Sequence, residues 1–167
     1  MVNKTQILNT LAHTEKLYQK YTRDKRGLYF CKLAIIEVSG WIEESMDDIA
    51  LSWAKRYLTN PHNLDFVKNT IISRTTSFEY DQHFRQMLMR VLGIIHLERL
   101  EKTLDQQKFT RMKSALLILK HSRDTQAHTH IKGATKTIDA PSVTKNHFQN
   151  VYDGLKDIEF CIRKVKI

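Results

Sequence analysis

Residues 109–128 read FTRMKSALLILKHSRDTQAH. Phe109, Met112, Leu116 and Leu119 recur at steps of three and four, which lines apolar side chains along one face of an α-helix. The next position of that stripe is Arg123. After Ala127-His128-Thr129-His130 the chain turns polar, with Gly133 and several threonines, up to Pro141. Ser142 then offers a hydroxyl able to cap a helix N-terminus. Beyond it Phe148, Val151, Leu155, Ile158, Ile162 and Val165 form a second stripe at heptad-like spacing.

Working back from there, the same periodicity recurs. Ile35, Val38, Ile42, Met46, Ile49, Trp53 and Tyr57 mark a long helix that Asn60-Pro61 stops, because the residue before proline is pushed out of helical dihedrals. Ile7, Leu11, Thr14, Tyr18 and Tyr21 share a face of a helix before it, ending near Asp24 to Gly27. Leu64, Val67 and Ile71 suggest a shorter helix over residues 63–75, and Phe84, Leu88, Val91 and Ile95 another, with Gly93 near its end. Residues 97–105 read as a helical turn and a connection. The expectation is an all-α bundle of about four long helices plus one or two short ones, folded as a single domain over residues 1–167.

Composition agrees with that picture. A chain of 167 residues with 41% hydrophobic content can bury one core. Its 5 Gly and 2 Pro are too few for the turns of a β-sandwich or barrel. No apolar run reaches the length of a membrane span, and Met1 to Gln6 lead into an amphipathic pattern, not a signal-peptide core. Cys31 and Cys161 make neither a disulfide framework nor a cysteine-rich zinc site. These features predict a soluble, cytoplasmic protein without a membrane partner. The net charge of +9 is uneven: residues 1–106 carry 15 basic and 13 acidic side chains, residues 107–167 carry 12 and 5. A basic excess concentrated in the last third suits a phosphate backbone or an acidic protein, and equally a solvated surface.

An arginine closing an apolar stripe calls for an acceptor, since a desolvated guanidinium is costly without one. Five residues on stands His128. In a straight helix that step turns roughly 140° beyond a full revolution, but a helix ending near Gln126 lets His128 swing back toward Arg123. A guanidinium can hold phosphate oxygens in paired hydrogen bonds, and an imidazole titrates near neutrality and can move protons. Other arginine–histidine pairs lack this context: Arg56 and His62 straddle Asn60-Pro61, and Arg90 and His96 enclose Gly93.

In Arg123-Asp124, the short spacer and Ala127-His128, placed at the end of the penultimate long helix, the chain resembles the HEPN superfamily, most closely its toxin and defence groups, including those called RiboL-PSP-HEPN. The similarity spans about residues 28–165. The resemblance implies an endoribonuclease that needs no metal or other cofactor, with two subunits paired as a homodimer around a shared cleft. Arg123 and His128 would be catalytic, with Asp124 orienting one of them. His121, His130, Lys120 and Lys132, with Lys136 beside them, would line an RNA path, and Glu43 would support the site from the long second helix. An antitoxin or other regulatory protein is a further expected partner. In one branch of that superfamily a tyrosine two residues after the histidine is modified by a partner nucleotidyltransferase; here His130 holds that place, so control of that kind is not expected.

Other readings of the same residues remain open. Arg123 can be a structural partner of Glu37, Glu43 or Glu44, with Glu43, beside Ile42 and Met46, the best placed to face inward. His121, His128 and His130 do not have a zinc spacing. Trp41, Trp53, Met46, Met87 and Met112 read as core. A helical module that binds RNA or a protein without cutting is the alternative to the nuclease.

Overall fold

The computed structural model of the protein describes residues 2–127, 131 and 137–165. Among these there is no strand, and the architecture is all-α. The elements are α1 (Thr5–Lys20), α2 (Lys25–Tyr57), α3 (Pro61–Phe66), α4 (Arg85–Leu92), α5 (Ile94–Thr103), α6 (Gln106–Ala127) and α7 (Pro141–Ile162). Two π-helical stretches, Val67–Ile72 and Tyr80–Phe84, extend α3 and lead into α4.

Helix α2, 33 residues long and hence about 50 Å, is the spine of the molecule. Asp24 caps its start by accepting a hydrogen bond from the Arg26 N–H at 2.8 Å. Its stripe from Ile35 to Trp53 is buried as the periodicity requires, and Tyr57 is half-buried at its end. Against it pack α1, α6 and α7, and α6 lies closely along α7. The stripes of α6 (Met112, Leu116, Leu119) and α7 (Phe148 to Ile162) are buried between them, as is Val165 just beyond α7. Trp41 sets its ring edge-on to Phe148 at 4.8 Å and donates its indole N–H to the Asn3 carbonyl at 2.8 Å. The short elements α3 to α5 close one side of this four-helix core.

Three expectations change. Among the described residues there are three short α-helices, because residues 97–103 are regular helix within α5 and only 104–105 form the connection. Ile95 is 63% exposed and does not extend the Phe84–Leu88 stripe. Gly93 separates them: its φ of +81° is a conformation that side-chain-bearing residues rarely adopt, so α5 starts in a new register. Ser142 is not the N-cap of α7. Ala140 takes that place, and its carbonyl accepts the Val143 and Thr144 N–H groups. Pro141 occupies the first helical position, where its fixed φ suits the helix and its missing N–H is not needed.

The chain's beginning is tied to its end through Glu159. This nearly buried carboxylate meets Lys156 at 2.7 Å and Arg163 at 2.8 Å, and accepts the Val2 N–H at 3.3 Å. Burial pushes its pKa up, but these three partners outweigh it and hold the group below the usual glutamate range.

Candidate active site

Arg123 continues the buried stripe of α6 by one more step, so its stem leaves the core edge while its guanidinium reaches the surface, 21% exposed. There it lies over the ring of Phe78, with Cζ 5.0 Å from the centroid. Phe78 is fully buried in the linker between the two π-helical stretches. That linker is anchored nearby. The Tyr80 hydroxyl donates to Glu101 of α5 at 3.0 Å, Arg85 forks onto the same carboxylate at 2.8 and 3.2 Å, and Tyr80 packs edge-on to Phe109 of α6 at 4.7 Å. The arginine therefore rests on a floor fixed from two directions.

Two carboxylates hold it laterally. Its Nη1 donates to Glu43 of α2 at 2.7 Å, the sequence's best inward-facing acid. Its Nε and Nη2 both reach one oxygen of Asp124, at 3.0 and 2.9 Å. The other Asp124 oxygen takes the ammonium of Lys120 at 3.0 Å. The result is a chain of alternating charge, Glu43, Arg123, Asp124, Lys120, in which two cations balance two anions. The Lys120 ammonium first, and then the Arg123 guanidinium, hold the Asp124 carboxyl below its ordinary range.

Four of the sequence candidates, Arg123, Asp124, Lys120 and Glu43, are thus brought together. Lys120 is engaged with Asp124, so it is not an uncommitted cation for an RNA backbone. His121 projects from the exposed side of α6 and has no part in the cluster. His128, His130, Lys132 and Lys136 lie outside the described residues. The competing arginine–histidine pairs go elsewhere: Arg56 donates to the Arg163 carbonyl at 2.8 Å, and the His96 ring turns toward Trp53. Among the described residues no three His, Cys, Asp or Glu side chains form a group fit to hold a metal ion. No described helix is long and apolar enough to cross a membrane.

One participant, Phe78, and two neighbours of the cluster escaped the sequence reading. Phe78 follows Thr75-Thr76-Ser77, and a lone aromatic ending a polar run was the available signal for burial. Gln126 follows Arg123 by three and is buried, with its amide oxygen lacking a hydrogen-bond partner among the described residues. Asp47 stands one helical turn beyond Glu43. Burial first, and then the carboxylates of Glu43, Asp48 and Glu44, push Asp47 up from 3.8 to about 6.

That shift predicts a pH effect. Between about pH 4 and 6 the folded protein keeps a proton on Asp47 that the unfolded chain has released, so stability is full below this window and falls as pH rises through it. A shift of this size corresponds to about 3 kcal/mol when undamped, and solvent reaching the partly exposed carboxylate reduces it to about 1 kcal/mol. Asp47→Asn should therefore melt a few degrees higher than the parent at pH 7 and match it near pH 3.5, by thermal circular dichroism.

No model of a known protein family matches this chain, and no curated protein and no solved structure matches it either. The chemistry of the cluster rests on its own residues.

Proposed function

We propose that the protein is a metal-independent endoribonuclease of the HEPN type, acting as a homodimer, in a toxin or defence role. RNA carries its own nucleophile, the 2′-hydroxyl beside each scissile phosphate. Cleavage requires that this hydroxyl lose its proton, that charge on the phosphoryl oxygens be stabilised, and that the departing 5′-oxygen be protonated. Arg123 meets the phosphoryl oxygens and His128 moves the protons, with the partner subunit's His128 as the second proton-transfer group. Asp124 positions Arg123, and Glu43 steadies it from α2. The products are a 2′,3′-cyclic phosphate and a 5′-hydroxyl.

The observation that carries this reading is the seat of Arg123. A guanidinium has been brought to the end of a core stripe, laid on a buried ring and held by two carboxylates at the surface. It stands just before the segment that bears His128. One observation weighs against phosphate contact here and favours the second reading in its protein-binding form, a module that does not cut: Glu43 and Asp124 already neutralise Arg123 and Lys120 in pairs.

The deciding experiment is incubation of a labelled RNA with purified protein in EDTA, beside His128→Ala. The expected result is cleavage leaving cyclic phosphate ends, slowed at least a hundredfold in the variant, since a positioned acid or base contributes about 10²–10⁴ in rate. RNA bound with a steep salt dependence but never cut supports the binding module, because phosphate contacts release counterions.

A further inference from the structure

A second concave site lies at the other end of α6. The C-terminal end of α5, the start of α6 and the last turns of α7 enclose a cleft of about 760 Å³, within the range of small-molecule sites. It is independent of the Arg123 cluster. Lys108 at its edge and Arg123 are 15 residues apart on one helix, about 22 Å.

The chemistry of the lining is lopsided. Leu104, Cys161 and Val165 give an apolar floor, and Phe160, 58% exposed, stands at its rim. The two carboxylates present accept backbone N–H groups, and the second oxygen of Asp105 also meets the Lys108 ammonium at 3.6 Å. Asp105 accepts the N–H groups of Gln107 and Lys108 at 3.0 and 3.1 Å as the cap of α6, and Asp157 accepts the Asp105 N–H at 2.8 Å. The cations are less committed. Among the described residues Arg99 has no acceptor and Lys164 has no carboxylate partner, and the Lys164 ammonium rests on the Phe160 ring, 3.8 Å from its centroid. An apolar pocket edged by unneutralised cations and an exposed aromatic ring is suited to a ligand with an apolar body and one acidic group.

We propose that this cleft binds a small amphipathic anion, its apolar part against Leu104, Phe160 and Val165 and its acidic group between Arg99 and Lys164. The probe for the test is 8-anilinonaphthalene-1-sulfonate, which pairs an aromatic body with a fixed negative charge. Fluorescence titration of the full chain should give saturable binding of one probe per chain. Arg99→Ala with Lys164→Ala should weaken it at least tenfold. A Trp introduced by Thr103→Trp, at the exposed end of α5, should fill the mouth and abolish it. Lys16→Ala with Lys145→Ala removes the same charge from exposed positions outside the lining and should leave affinity unchanged. N-phenyl-1-naphthylamine, which lacks the sulfonate, should bind at least tenfold more weakly than the sulfonate probe. Circular dichroism shows that each variant is folded. Absence of saturable binding to the parent, or equal affinity in the Arg99/Lys164 and Lys16/Lys145 variants, overturns the proposal. So does equal binding of the uncharged probe.

Discussion

Arg123→Ala is expected to cut RNA at least a hundredfold more slowly than the parent while losing only about 1 kcal/mol of stability. The two numbers have separate origins. Removing a preorganised donor from charge developing in a transition state typically costs about 10²–10³ in rate. The stability term is small because both carboxylate partners of the guanidinium are partly solvated: Glu43 is 36% and Asp124 42% exposed, and ion pairs of that kind contribute little. Loss of the guanidinium's contact with the Phe78 ring adds the remainder. Arg123→Lys should recover less than a tenth of the lost rate, because one ammonium cannot reach Glu43, Asp124 and a phosphate as a planar fork can. The loss should fall on kcat more than on KM, the mark of a contact that strengthens in the transition state. If Arg123→Ala cuts as fast as the parent yet melts several degrees lower, Arg123 is only a tie between α2 and α6, and the nuclease assignment fails.

What made the long helices readable is that α2, α6 and α7 are each buried on one face only. A period of three and four then survives over six apolar positions in α2, from Ile35 to Trp53, and over six from Phe148 to Val165. The short helices lack this redundancy. Phe84, Leu88, Val91 and Ile95 fit one template numerically, and only the positive φ of Gly93 reveals that two helices share the span. The site divides along the same line. Glu43 was legible because its neighbours Ile42 and Met46 fix which way α2 turns. Phe78 was not, because its place beneath Arg123 depends on the Tyr80–Glu101–Arg85 contacts that anchor its linker, and these join residues 16 to 21 positions apart. Local periodicity carries no information about such contacts.

The largest effect on stability is expected at Gly154 of α7. A Cβ placed there would stand 2.5 Å from the Cβ of Met112 on α6, with Sδ and Cγ at 2.7 and 2.8 Å. The first of these contacts is decisive. A methionine can swing its sulfur away, but its Cβ moves only with the helix backbone, so α6 and α7 must separate. Helix propensity alone would favour Gly154→Ala by about 1 kcal/mol. Overpacking a tightly packed interface opposes this with a larger cost, and the net loss should be about 2–3 kcal/mol, a fall in Tm of roughly 5–10 °C. Gly40, on the exposed side of α2, has no atom within 4 Å of its would-be Cβ, and Gly40→Ala should raise stability by up to about 1 kcal/mol. Two glycine-to-alanine changes within helices are thus expected to differ in sign, which propensity alone cannot produce. Met112→Ala added to Gly154→Ala should not restore the parent's stability, because the Cβ that causes the clash is still present and a cavity has been opened beside it. Met112 and Arg123 share α6, about 16 Å apart along its axis, so the same displacement should carry the guanidinium away from Glu43 on α2. RNA cleavage by Gly154→Ala measured well below its melting temperature should therefore fall as well. Full activity there would mean that α2 and the Phe78 linker alone set the position of Arg123.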